Sequence, residues 1–302
     1  MGRLQSVVAL GLLVLLCCSF IRTVEGGKIL VMPMDGSHWF SIKILVEELS
    51  QKGHEMVVLF PEISLNIQDG NYILETFKTP FTRADLDALM DDFAKIILNF
   101  SVSTSVFEHF RLHMNFTEFK VQSCESLLYN ESLMKSLKER GFDVILTDPF
   151  LPCGSIVADA FSLPVVYFLR GLTCMLDLDA AQCPLPPSYV PRLFSGNRDV
   201  MNFPQRVKNM IVVVFESYLC QMLYSRFDEL SSRYLQRDTT YKQLLGQGAI
   251  WLLRYDFTYE YPRPQMPNMV TIGGINCRKM KALPAAVINV VYLYLYSSPE
   301  VL

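Results

Sequence analysis

The sequence predicts an α/β fold built on a doubly wound parallel sheet. Two short apolar runs, residues 28–34 and 56–60, flank a segment whose apolar residues recur at helical spacing. A similar alternation of apolar runs and helical patterns follows residue 142. Strands that alternate with helices are typical of βαβ units, and buried parallel strands read as unbroken apolar runs.

The first βαβ unit has the clearest signals for where its elements begin and end. A strand at residues 28–34 leads through Asp35, Gly36 and Ser37 into a helix that opens at Trp39. Gly53 should end this helix, because glycine is favoured just beyond a helix C-terminus, and residues 56–60 form the next strand.

The remaining elements follow in the same way. Residues 84–138 are mostly helical, with charged residues between apolar ones, and Gly141 stops the last helix of this stretch. The elements expected after it are a strand at 142–146, a helix at 156–161 and a strand at 164–168.

The C-terminal part begins with a proline-rich loop at residues 183–203. Residues 207–227 are predicted as an apolar-rich helix whose uninterrupted apolar run is too short for a membrane span. We place this helix in the core in preference to a membrane surface. Residues 250–253 are predicted as the last strand, and the prolines after Tyr261 force an extended connection.

The charge balance excludes one class of partner. The net charge is −3, and no basic run is present that could neutralise a row of phosphates. We therefore expect no nucleic-acid partner.

The N-terminus has the features of a secretory signal peptide at residues 1–26. Arg3 precedes an apolar run at 7–20, and the segment ends at a small residue, Gly26. The run falls short of the roughly 20 residues that span a bilayer as a helix. We expect cleavage near Gly26 and entry into a compartment where disulfides form.

The cysteines, histidines and asparagines fit this location without defining a metal site. Six of the eight cysteines lie after the signal peptide, with their pairing left open, and there is no CxxC or HExxH motif. His109 and His113 are four residues apart, so they would share one face of a helix. They could be two ligands of a metal ion, but we favour two exposed side chains on a solvated helix. Asn99, Asn115 and Asn130 begin predicted N-glycosylation sequons.

Two polar residues directly follow predicted strands, where ligands of open parallel sheets gather. His38 follows the first strand and Asp148 follows the strand at 142–146. A histidine held by a carboxylate can act as a general base near neutral pH, although a surface histidine and a turn-forming aspartate are the alternatives. A serine hydrolase is disfavoured because no G-x-S-x-G turn is present, and a dinucleotide enzyme because the first loop has a single glycine.

Three segments resemble the vertebrate UDP-glucuronosyltransferases of family 1. They are GKILV with DGSHW at 27–39, LTDPFLPC at 146–153, and the stretch 261–277 with its PRP, MPNM and IGGINC runs. The resemblance implies a Rossmann-like N-terminal domain of a GT-B glycosyltransferase at residues 27–277. It also implies that His38 is the base, that Asp148 supports it, and that residues 148–227 shape the pocket of a small lipophilic acceptor.

The same resemblance implies inverting transfer of glucuronic acid from UDP-glucuronate, with no metal and no cofactor beyond this co-substrate. It places the chain at the lumenal side of the endoplasmic reticulum, as a homo-oligomer or a hetero-oligomer with full-length relatives. The apolar tail and a membrane-facing helix at 207–227 would supply peripheral membrane contact. Residues 278–302 no longer resemble the family, and we expect them to stand in place of the sugar-nucleotide domain and the membrane anchor. The alternative function is an inactive acceptor-binding or regulatory partner of full-length enzymes, because transfer needs both substrates in one cleft.

Overall fold

The computed structural model describes residues 26–66, 69–98, 106–192, 195–258 and 260–277. The predicted signal peptide up to residue 25, the predicted tail at 278–302 and the sequon residue Asn99 lie outside these ranges.

The described residues form a seven-stranded parallel sheet in the order β3-β2-β1-β4-β5-β6-β7. The strands are β1 (Lys28–Met32), β2 (Glu55–Pro61), β3 (Ile73–Phe77), β4 (Val144–Thr147), β5 (Val165–Leu169), β6 (Ile250–Leu253) and β7 (Met269–Thr271). The predicted parallel α/β fold is confirmed, but the prediction that residues 250–253 form the last strand is wrong. β7 adds one more edge strand, and its three residues are too few for a periodic pattern.

The helices cover both faces of this sheet. They are α1 (Ser37–Gln51), α2 (Arg83–Leu98), α3 (Val106–Leu128), α4 (Glu131–Glu139), α5 (Cys153–Phe161), α6 (Leu176–Ala180), α7 (Phe203–Leu235) and α8 (Tyr241–Leu245). Successive residues of β1 divide between two cores: Leu30 and Met32 join one, and Ile29 and Val31 the other. The alternation follows from the two-residue period of a strand, and it accounts for the unbroken apolar runs.

Two helix ends show how local sequence sets the element bounds. Gly53 follows α1 with a φ of 92°, a conformation that favours glycine, so the predicted stop is confirmed. The side chain of Asn130 caps α4 by accepting a hydrogen bond from the Leu133 backbone N–H at 3.2 Å. Asn115 is exposed on α3.

The long helix α7 is more exposed to solvent than the sequence analysis predicts. Residues 207–227 are helical as predicted, but Ile211 and Val214 are 65% and 70% exposed. The expectation that this segment lies in the core is therefore wrong for its N-terminal half, whereas Phe227 and Leu230 are buried. An almost unbroken apolar run has no preferred face, so periodicity could not separate the two halves. None of the described helices is long and apolar enough to cross a membrane.

Among the described residues, two disulfides cross-link segments around the sheet. Cys124 of α3 is bonded to Cys153 at the start of α5, and Cys174 is bonded to Cys220 of α7. Cys183 is a buried free thiol and Cys277 is exposed.

Candidate functional site

His38 and Asp148 meet above neighbouring strands. β1 pairs with β4, with Met32 opposite Thr147, so the segments that leave these strands start side by side. His38 is the second residue of α1, in its first turn and not in a loop, and Asp148 comes directly after β4. The Nδ1 atom of His38 lies 2.6 Å from Oδ2 of Asp148. The predicted proximity of the pair is confirmed.

Asp148 is fixed by its own turn. Its carboxyl group is buried, with 2% of the side chain exposed. Its second oxygen, Oδ1, accepts a hydrogen bond from the backbone N–H of Phe150 at 2.9 Å, and its own N–H donates to the carbonyl of Met32. The hydroxyl of Tyr241 donates to the carbonyl of Pro149, so the turn is held from a second side.

The carboxylate sets the tautomer of His38. An ionised carboxylate only accepts hydrogen bonds, so Nδ1 carries the ring proton and donates it to Asp148. Nε2 then keeps its lone pair on the other side of the ring, where it can take a proton. The His38 side chain is 29% exposed and forms part of a cavity wall, so a ligand can reach it.

The cavity beside His38 has a volume of about 280 Å³ and mainly apolar walls. Its aromatic lining consists of Phe60, Phe81, Phe93, Phe116, Phe119 and Phe150. These walls come from segments before Asp148, apart from Phe150 and Leu151. The expectation that residues 148–227 supply most of the pocket is therefore wrong for this cavity.

Two further polar residues, Asp35 and His113, line the cavity. Asp35 accepts hydrogen bonds from the backbone N–H groups of Gly36 and Leu65 and from the hydroxyl of Ser64 at 2.8 Å. These bonds tie the loop after β1 to the loop after β2. His113 is half-buried on the cavity wall, so the preference for an exposed histidine pair is wrong for His113.

The site contains one group that sequence reasoning missed, the ammonium of Lys120. The residue is 8% exposed. Its Nζ donates a hydrogen bond to the carbonyl of Phe150 at 3.0 Å and lies 4.2 Å from the centroid of the Phe150 ring. Burial lowers the pKa of Lys120 to about 7, although the charge of Asp148 acts in the opposite direction. Its one sequence signal is its position four residues after Phe116 and four before Cys124, on the apolar stripe of α3, and this position does not by itself predict burial because a helical lysine usually reaches solvent.

Comparison with known proteins supplies the class to which this fold and site belong. The family model for UDP-glucoronosyl and UDP-glucosyl transferase matches residues 27–294. The expectation that the resemblance ends at Cys277 is therefore wrong for residues 278–294. The chain belongs to this family.

Two relatives illustrate the match. The chain is similar to UDP-glucuronosyltransferase 1A1 of Rattus norvegicus, with 47% identity over 280 residues, and to UDP-glucuronosyltransferase 1A1 of Homo sapiens, with 46% identity over 272 residues. Each match covers 89% of this chain and 51% of the relative, so the chain spans about half the length of the relatives it matches. A solved calicheamicin glycosyltransferase has 13% sequence identity and a TM-score of 0.47, with 83% of this chain and 53% of that chain covered.

Proposed function

We propose that the described residues form the acceptor-binding part of a UDP-glucuronosyltransferase. The reaction is the inverting transfer of glucuronic acid from UDP-glucuronate to a small lipophilic acceptor, such as a phenol, alcohol, steroid or drug-like molecule. The observation that carries this proposal is the His38–Asp148 pair at the wall of an apolar cavity. The family assignment and the similarity to named glucuronosyltransferases support the choice of donor.

The pair performs the proton transfer in this proposal. Nε2 of His38 takes the proton from the acceptor hydroxyl as the oxygen attacks the anomeric carbon of the sugar. The new bond joins that oxygen to the carbon, the bond from the carbon to UDP breaks on the opposite face, and UDP leaves with the electron pair. Asp148 keeps the imidazole in one tautomer and stabilises the imidazolium until the proton passes to solvent.

This proposal does not include a binding site for the sugar nucleotide among the described residues. We infer that residues 27–277 hold the acceptor and the base, and that UDP-glucuronate is bound by a part of the family fold outside them. A second candidate function follows from the same division: an acceptor-binding or regulatory partner that associates with longer relatives. This second function is favoured because both the His38–Asp148 pair and the apolar cavity lie within the described residues.

The lumen of the endoplasmic reticulum is the proposed location. Two disulfides support an oxidising compartment, and the exposed Asn115 and the partly exposed Asn130 support glycosylation there. The exposed apolar residues of α7, including Ile211 and Val214, support peripheral membrane contact. Retention on microsomes after carbonate extraction tests this contact.

The test of function is transfer from labelled UDP-glucuronate to a simple phenol by the full chain, alone and mixed with a longer relative. His38→Gln should lower any turnover by roughly 100-fold or more, because general-base catalysis contributes about 10² to 10⁴. His54→Gln is the matched control, since His54 accepts a hydrogen bond from the Gly27 N–H at 3.0 Å and does not line the cavity.

Binding of the phenol, measured by calorimetry in parallel, separates the two candidates. Binding without turnover, together with an altered rate of the longer relative, supports the partner function. Turnover that His38→Gln leaves intact would remove His38 from the mechanism. Absence of any phenol binding would refute both candidates.

A further inference from the structure

Lys120 offers the acceptor cavity a cationic group with donors to spare. An ammonium has three N–H donors. Among the described residues its hydrogen-bond acceptor is the Phe150 carbonyl alone, and no ion pair involves it. The ammonium lies over the rings of Phe116 and Phe150, with centroids at 5.1 and 4.2 Å, and these contacts compensate its burial only in part. A ligand that accepts hydrogen bonds from the remaining donors therefore stabilises the site.

The nearby carboxylates do not meet this need. In Asp148, Oδ2 is bonded to His38 and Oδ1 to the Phe150 N–H. Asp35 accepts three hydrogen bonds from its own loop and the neighbouring one. The cavity therefore presents a buried cation that pairs with no carboxylate among its described walls.

Lys120 and His38 both lie close to the ring of Phe150, and this shared neighbour limits the distance between them. The centroid of the Phe150 ring lies 5.4 Å from that of the His38 ring and 4.2 Å from Nζ of Lys120. The separation of Nζ from the His38 ring centroid cannot exceed the sum of these two distances. A single aromatic acceptor can therefore present a hydroxyl to His38 and a second group to Lys120.

We propose that Lys120 is a specificity-determining residue that selects acceptors carrying a carboxylate about one aromatic ring away from the reactive hydroxyl. The inference rests on the proposed function, because it assigns a chemical class to the occupant of the same cavity. Phe116, Phe119 and Phe150 contact the ring of such an acceptor, and Lys120 pairs with its carboxylate.

The electrostatics of the cavity support this assignment. Desolvation lowers the pKa of Lys120 to about 7, so the free protein holds the charge only in part at neutral pH. A bound carboxylate favours the charged form, and binding of the anion is then linked to uptake of a proton. Among the described residues, the other titratable groups that line the cavity are His38, Asp35 and His113, and Asp148 lies behind His38.

The experiment compares two probes that differ in charge. Calorimetry on the full chain measures the dissociation constants of 3-(4-hydroxyphenyl)propanoate and of its methyl ester. At pH 6.5 the wild-type chain should bind the acid roughly tenfold or more tightly than the ester, as expected for a charge-assisted hydrogen bond in a desolvated site. The advantage of the acid should shrink as the pH rises to 8.5, while the affinity for the ester stays nearly level.

Lys120→Met should remove the preference for the acid and its pH dependence while it keeps ester binding, which shows that the variant retains an intact cavity. Lys95→Met is the matched control, because Lys95 is an exposed lysine on α2 that does not line the cavity. It should behave like the wild type.

The outcomes are separable. An equal affinity for acid and ester in the wild type, or a preference for the acid that survives Lys120→Met, would overturn the role of Lys120 and leave the acceptor cavity standing. Failure of both probes to bind would refute the cavity as an acceptor site, and with it the proposed function.

Discussion

Lys120→Met should make the stability of the protein less dependent on pH. The ordinary pKa of a lysine, 10.5, applies to the unfolded chain, whereas burial lowers the pKa of Lys120 in the folded protein to about 7. Between these values the unfolded state binds more protons than the folded state. The free energy of unfolding therefore rises with pH through this window, and below pH 7 the folded protein carries the full cost of a buried charge.

The magnitude follows from the shift. One pKa unit corresponds to about 1.36 kcal/mol, so raising the pH from 6 to 9 should stabilise the wild type by roughly 2 to 3 kcal/mol through this group. The side chain is 8% exposed, so solvent screening takes little from this value. Methionine also leaves the Phe150 carbonyl without its donor, which costs about 1 kcal/mol, but this cost is the same at every pH.

Urea unfolding at pH 6, 7, 8 and 9 measures the difference. The stability of Lys120→Met relative to the wild type should be most favourable at pH 6 and should fall by roughly 2 to 3 kcal/mol by pH 9. Lys95→Met serves as the control for loss of a lysine from the surface. A difference that stays constant with pH would refute the inference that Lys120 is desolvated in the folded protein.

Three further outcomes test the surroundings of the site. Replacing Cys124 and Cys153 by alanine removes a cross-link over a sequence separation of 29 and should lower the free energy of unfolding by roughly 3 to 4 kcal/mol, measured by urea unfolding. Gly154→Ala should cost about 1 to 3 kcal/mol and lower the melting temperature, because a Cβ there would lie 2.1 Å from Oγ1 of the buried Thr147; an unchanged melting temperature would contradict this packing. Ser132→Ala should abolish glycosylation at the third predicted sequon while leaving the helix cap in place, and an unchanged mass shift after glycosidase treatment would contradict that prediction.

The sheet could be predicted from sequence where strands are buried on both faces. β1 and β2 are almost wholly buried, and their apolar runs marked them. β3 was missed because it lies at the sheet edge, and its sequence ILETF places Glu75 and Thr76 beside apolar residues. Edge strands lose the apolar signal because solvent reaches one side of them.

The candidate site was predictable in part for a topological reason. The carboxyl ends of parallel strands lie at one edge of the sheet, so a histidine after one strand and an aspartate after another were expected to meet. Lys120 was missed because a lysine within a helix usually reaches solvent, and only the packing of α3 against the Phe150 turn shows that this one does not. The prediction that residues 148–227 shape the pocket was wrong because hydrophobic periodicity shows which face of a helix is buried but not which helices line a cavity.

The strand order brings His38 and Asp148 together although most of the cavity wall lies between them in sequence. β1 and β4 are hydrogen-bonded neighbours, although the whole segment carrying β2, β3 and the helices α1 to α4 lies between them in sequence. His38 and Asp148 are thus anchored to the two ends of this excursion, while the phenylalanines of α2 and α3 belong to its interior. Substitution within the excursion can reshape the chamber without touching the pairing of β1 with β4. The shape of the cavity can consequently be varied through α2 and α3, and a designer can hold the contact between His38 and Asp148 constant.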